Sequence, residues 1–185
     1  MALKSTICKA ALRVSNVDSH YYRDHALTLA RHPSETDERM MLRILAFALH
    51  ADDALQFGRG ISTDNEPDLW QRDLTGVIER WIDVGQPDEK LIRKACGRAR
   101  QVFIYSYGGH DAGKWWQRVA PSVERCDNLT VHHVALATCK SLASLAGRNM
   151  ELQCTIQDGH AWMASDDVSF AVELVALRNA TGMVR

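Results

Sequence analysis

Asp83 sits in the middle of an otherwise apolar run, Trp81-Ile82-Asp83-Val84-Gly85, and Asp68 of a Pro67-Asp68 pair precedes it by fifteen residues. A carboxylate within a strand-like run loses water on folding, so it needs a proton, a cation or a set of hydrogen bonds. The segment between the two acids supplies a register. Thr75-Gly76 can close a two-residue hairpin loop in which Gly accepts a positive φ. Centred there, Arg72 faces Glu79, Trp70 faces Trp81 and Asp68 faces Asp83, all on one face of a hairpin. Two charges about 5 Å apart in an effective dielectric near 20 repel by roughly 3 kcal/mol. A divalent cation would reverse the sign, and oxygen-only donors favour Mg²⁺, Mn²⁺ or Ca²⁺ over zinc.

A third acid comes from Ser34 to Ala54 wound as a helix, in which Met41, Leu42, Leu45 and Leu49 form one apolar stripe. Glu38 falls in that stripe and points to the core, with Ser34 as N-cap and Asp37 as an acidic third residue. The competing reading is an acid that only complements the helix dipole.

A helix acid, then Pro-Asp at one strand and an acid on the next strand, resembles the order of the PD-(D/E)XK nuclease superfamily. Over essentially its whole length the chain also resembles the YaeQ family, whose members are similar to a variant of that nuclease fold. The stretches that carry this are 27–36, 38–43, Glu66-Pro67-Asp68-Leu69-Trp70, Trp81-Ile82-Asp83-Val84-Gly85 and Ile156-Gln157-Asp158-Gly159. The resemblance implies a mixed α/β (α+β) domain of restriction-endonuclease-like architecture, a mixed central sheet flanked by helices, with further antiparallel strands from the N- and C-terminal segments.

The resemblance also implies a site. Asp68, Asp83 and the Val84 carbonyl would hold Mg²⁺ or Mn²⁺, Glu38 would complete or position the coordination sphere, and the reaction would be phosphodiester hydrolysis in nucleic acid. The pattern asks for Lys two residues after Asp83, where this chain has Gly85. Some superfamily members supply the lysine from the following helix. Here that helix opens at Pro87-Asp88-Glu89, and its stripe of Leu91, Ile92, Ala95, Cys96, Ala99 and Val102 leaves Lys94 and Arg98 on one flank and Arg93 and Arg100 on the other. Lys94 is the best replacement; the alternative is a boundary lysine that snorkels off an apolar surface.

With 22 basic and 23 acidic residues, the net charge of -1 gives no global pull on polyanions. Nucleic acid would have to be met locally, by Arg93, Arg98, Arg100 and Lys114, unless these only form a solvated face. At 185 residues the chain is read as one domain, 1–185. Five scattered cysteines with no Cys-x-x-Cys pair argue against a disulfide framework or zinc knuckle and for reduced, mostly buried thiols. No apolar run reaches the ~18 residues of a membrane span, and the N-terminus lacks a signal-peptide core, so a cytoplasmic protein is expected.

Strands are expected at Leu3 to Val14, Ala26 to Arg31, Val102 to Tyr107 and Leu129 to Ala135, helices near Lys114 to Val119 and Lys140 to Ala146, and a closing set of alternating strands around an Asp158-Gly159 turn. Gly108 to Lys114 has the spacing of a phosphate-binding loop, but Trp115 replaces the hydroxyl residue that holds Mg²⁺. His110, His132 and His133 have no partner at ligand spacing. Three functions remain open: a Mg²⁺-dependent nuclease or phosphodiesterase, a catalytically inactive nuclease-fold domain that binds nucleic acid or a protein, and a nucleotide-binding protein using the Gly108-Lys114 loop.

Overall fold

A computed structural model describes residues 5–59 and 66–181. Two mixed sheets form, so the mixed α+β class holds, and the terminal segments build a sheet of their own. Strands β1 (Thr6–Asn16) and β2 (Tyr21–Arg31) pair antiparallel, and β1 also pairs in parallel with β8 (Asn149–Gln157). Strands β9 (His160–Ala164) and β10 (Ser169–Val172) complete the order β10-β9-β8-β1-β2. From Ile7 to Val14 of β1 and along all of β8 buried and exposed residues alternate, so this sheet has one wet and one dry face.

The second sheet runs β11-β7-β6-β5-β4-β3, from β3 (Leu55–Phe57), β4 (Leu69–Arg72), β5 (Ile78–Val84), β6 (Ala99–Ser106), β7 (Leu129–Val134) and β11 (Leu174–Arg178). Strands β5, β6 and β7 are parallel. The expected single alternation through Phe170, Val172 and Leu174 is instead cut at Glu173, whose N–H and C=O bond to Thr138 Oγ1 and Ala135 N. The chain thereby leaves one sheet and enters the other.

Helix α1 (Asp37–Leu49) is buried from Met40 to Ala48, because its cluster takes side chains from both sheets: Leu12 and Leu29 from one, Leu69, Ile82 and Val84 from the other. Helix α4 (Leu136–Ser144) adds Cys139 and Leu142 to the same layer. A second cluster covers the opposite face of the six-stranded sheet, where Trp81, Ile104 and Val131 meet Ile92 of α2 (Glu89–Cys96) and Trp115 and Val119 of α3 (Gly109–Val119).

Several local expectations are corrected. The N-cap of α1 is Thr36, whose Oγ1 accepts the Arg39 N–H at 3.2 Å, not Ser34, and the helix stops at Leu49 rather than Ala54. The hairpin keeps Trp70 opposite Trp81, but a bulge after Gln71 sets Arg72 against Ile78 and not Glu79. Its turn is longer than two residues: Asp73 N donates to Val77 O at 2.9 Å, Gly76 N to Asp73 O at 3.0 Å, and Asp73 Oδ1 takes the N–H groups of Thr75 and Val77. Helix α2 ends at Cys96, capped by Gly97, so Arg100 belongs to β6. The Gly108-Lys114 segment winds as α3 from Gly109 rather than standing as a loop.

Candidate functional site

The chain doubles back on itself to present Asp68. Gly58 N donates to the Asp68 carbonyl at 2.8 Å, and a Cβ at position 58 would fall 2.0 Å from the Pro67 carbonyl oxygen. Only glycine allows that approach. Asp68 then accepts the Val84 N–H on Oδ2 at 2.8 Å and Arg39 Nη2 on Oδ1 at 2.7 Å. Its own N–H donates to Asp83 Oδ1 at 3.3 Å, and Trp81 Nε1 donates to Asp83 Oδ2 at 2.8 Å. Asp68 and Asp83 thus come together at the C-terminal end of β5.

Arg39 joins them from α1, bonding Glu35 Oε1 at 2.9 Å through Nη1 and lying 3.5 Å from the Val84 carbonyl through Nη2. Glu35, 3% exposed, also holds Arg43, which is 1% exposed within α1. Arg43 Nη2 donates to Glu35 Oε2 at 3.2 Å and to the Ala30 carbonyl at 3.3 Å. Two guanidinium ions therefore stand among three acids: Glu35 and Asp68 take their direct bonds, and Asp83 feels Arg39 only as a nearby charge. Burial, with the Asp68 charge beside it, pushes Asp83 up to about 7 despite the Trp81 and Asp68 N–H donors.

Glu38 is near enough to Cys139 of α4 for its charge to be felt at the thiol, whose Sγ lies 3.7 Å from the Val134 carbonyl it donates to. Burial and this carboxylate push the thiol up to about 12. Glu38 is felt at Tyr107 together with Asp68, and burial plus these two charges raise that phenol. Among the described residues, no group of three His, Cys, Asp or Glu side chains is placed to hold a metal ion.

The missing lysine has a conformational cause. Gly85 has φ +123°, and its N–H donates to the Tyr105 carbonyl at 2.9 Å. A lysine there would be strained although the space is open. Lys94 is half-buried on α2. Arg93 pairs with Glu89 at 3.6 Å and Arg100 with Glu79 at 3.2 Å, whereas Arg98 and Lys114 are exposed. His133 Nδ1 lies 3.2 Å from Ser106 Oγ, and the ring of His132 lies 5.7 Å from that of Tyr105.

Glu35 and Arg39 escaped the sequence reading. Their signal is the spacing of four in Glu35, Arg39 and Arg43, which runs from just before the N-cap into a helix body that is otherwise apolar from Met40 onward.

Comparison with known proteins places these features in a family. A family profile described as YaeQ protein matches residues 1–174. The YaeQ protein of Escherichia coli (strain K12), described as uncharacterized, is 44% identical over 176 residues, 95% of this chain and 97% of its own. The Salmonella typhi relative of the same description is likewise 44% identical over 176 residues. The crystal structure of YaeQ protein from Xanthomonas axonopodis pv. citri superposes with a TM-score of 0.89 at 46% identity, covering 94% of this chain and 98% of that one. The YaeQ crystal structure from Pseudomonas syringae gives 0.91 at 32% identity, covering 96% and 98%. The chain belongs to the YaeQ family.

Proposed function

We propose that this chain is a metal-dependent phosphodiesterase acting on nucleic acid through a variant of the PD-(D/E)XK site. The observation that carries the reading is the meeting of Asp68 and Asp83 at the end of β5, with more buried acid than buried cation around it. The donors fit a hard ion in part: two carboxylates and the Val84 carbonyl, the remaining positions being left to water as Mg²⁺ prefers. When bound, Mg²⁺ or Mn²⁺ would activate a water molecule and polarise the phosphate. Glu38 would position the ion's surroundings from the helix side. Arg39, already on Asp68, takes the part of the lysine that Gly85 cannot carry and neutralises charge developing on the phosphate, with Lys94 as a second cation on α2. Arg93, Arg98, Arg100 and Lys114 would meet the nucleic-acid backbone. A cytoplasmic setting agrees with five unbridged cysteines, and among the described residues no helix is long and apolar enough to cross a membrane.

A second reading is favoured by one contact. Arg39 Nη2 rests on Asp68 Oδ1 and near the Val84 carbonyl, the oxygens an ion would need. On that reading the domain is catalytically inactive and binds nucleic acid or a protein with a guanidinium in place of the metal. Calorimetric titration of wild type and Asp83→Asn with Mn²⁺ or Mg²⁺, followed by incubation with a panel of nucleic acids, separates the two. The enzyme gives heat with wild type only, and cleavage that disappears in Asp68→Asn and falls in Arg39→Ala and Lys94→Ala. Equal heats for the two proteins, or binding without turnover, overturn it.

A further inference from the structure

Among the described residues, strand β2 closes one edge of the five-stranded sheet and β3 one edge of the six-stranded sheet, and the two edges flank a groove of about 440 Å³. Lys9 N of β1 donates away from β2, to the Arg148 carbonyl at 2.8 Å, so by the alternation of a strand Ala10 and Leu12 bond to β2. Their partners there are Leu27 and His25. The N–H and C=O groups of Asp24, Ala26, Thr28 and Ala30 therefore point to the free edge, and Arg43 Nη2, 3.3 Å from the Ala30 carbonyl, marks that direction. Ala26 to Ala30 hold no proline, charge or bulge of the kind that guards an edge. In β3, Gly58 N on the Asp68 carbonyl fixes the same alternation and turns the Phe57 backbone outward. Phe47 of α1 floors the groove, its ring centroid 5.0 Å from that of His25 on β2 and 5.5 Å from that of Phe57 on β3. Each step is close to the ~4.8 Å spacing of paired strands, so the gap is about one strand wide. Asp52 and Asp53 line it beyond the C-terminal end of α1, whose last turn holds no basic residue, and Arg23 stands 3.9 Å from Asp53 and offsets one of the two charges.

We propose that this groove receives an extended segment of a partner protein, added to β2 as a further strand and carrying a lysine or arginine against Asp52 and Asp53. Main-chain bonds to Ala26 and Thr28 supply affinity that does not depend on sequence, and alternate side chains supply the selection. Those pointing inward meet the rings of Phe47, His25 and Phe57 and must be apolar. The segment has to be extended, because only a strand presents its N–H and C=O groups at the spacing of the edge. Its charge follows from the two acids after α1, where the helix adds its own negative pole. Once seated, the segment meets the Phe57 backbone on its far side and joins the two sheets. The β3 wall runs into Gly58, which holds the Asp68 carbonyl, so the occupied groove borders the acid pair without using either acid. The inference stands whether or not Asp68 and Asp83 bind a metal.

The test is selection of a phage library of random octapeptides on the immobilised full chain, followed by synthesis of the enriched sequences. Expected are alternating apolar residues with a lysine or arginine toward one end and, with peptide at about ten times its Kd, amide hydrogen exchange at Ala26 and Thr28 slowed about tenfold. Ala26→Pro removes one edge N–H at a strand position that tolerates proline, and Asp52→Lys with Asp53→Lys reverses the charge; each should weaken binding roughly tenfold. Failure to enrich any peptide, or enriched peptides that leave Ala26 and Thr28 exchanging at the free rate, overturns the proposal. So does slowing of the same amides with rising protein concentration alone, which makes the occupant a second copy. Because exchange is measured on wild type, a variant that fails to fold leaves the result intact.

Discussion

Arg39 reaches from α1 to Asp68 across a 2.7 Å bond and at the same time holds Glu35 at 2.9 Å, so one guanidinium bridges the helix entrance and the hairpin acid. Removing it leaves both carboxylates in place with the Arg43 charge alone. Arg39→Ala should therefore lose about 3–5 kcal/mol of stability in urea unfolding. If the acids accept an ion, millimolar Mn²⁺ should recover part of that loss in Arg39→Ala and raise wild type less.

Asp83 carries a pH signature. Its folded-state value of about 7 lies above the ordinary 3.8, so folding takes up a proton between those limits. Its contribution is favourable below about pH 4 and is lost as pH rises through 7, by up to about 4 kcal/mol. His50, bonded to the Tyr105 hydroxyl at 2.7 Å and held down to about 3 by burial, slopes the opposite way over nearly the same window. The test is accordingly a difference. Between pH 5 and 8, the gap in unfolding free energy between wild type and Asp83→Asn should move in favour of Asp83→Asn. A constant gap would contradict the raised value.

The same proton reports on metal. An ion bound at Asp83 must displace it, so Mn²⁺ titration at pH 6 should release a proton, seen as a binding heat that changes with the ionisation enthalpy of the buffer. In Asp83→Asn that dependence should vanish.

Gly85→Lys restores the superfamily's lysine in sequence but not in shape. With φ at +123° the new side chain should cost about 1–3 kcal/mol and shift the Gly85–Tyr105 backbone bond, without adding cleavage. Thermal unfolding and a nuclease assay measure both.

Gly58→Ala is a remote test of the acid pair. The added methyl runs into the Pro67 carbonyl, so Asp68 must move. Stability should drop by about 1–3 kcal/mol, and metal affinity should fall with it although no ligand is altered.

The hairpin was legible because a strand's period of two survives local error: Trp70 opposite Trp81 and Asp68 beside Asp83 both follow from one register. The Arg72 pairing failed because a bulge changes the count without changing the composition. Helix α1 showed its apolar stripe, but burial on all sides hides which polar residue turns inward, and a cap displaced by two residues moved attention from Glu35 and Arg39 to Glu38. That Lys is absent at position 85 was plain; that the backbone forbids it was not, since a positive φ leaves no trace beyond the glycine itself.

Strand β1, residues 6–16, lies in parallel beside β8, residues 149–157. On the ribosome the first hairpin must therefore wait for nearly the whole polypeptide before its inner neighbour exists. Until then one edge of β1 and the dry face beneath it stay open, so nascent-chain chaperones have a long interval in which to engage it.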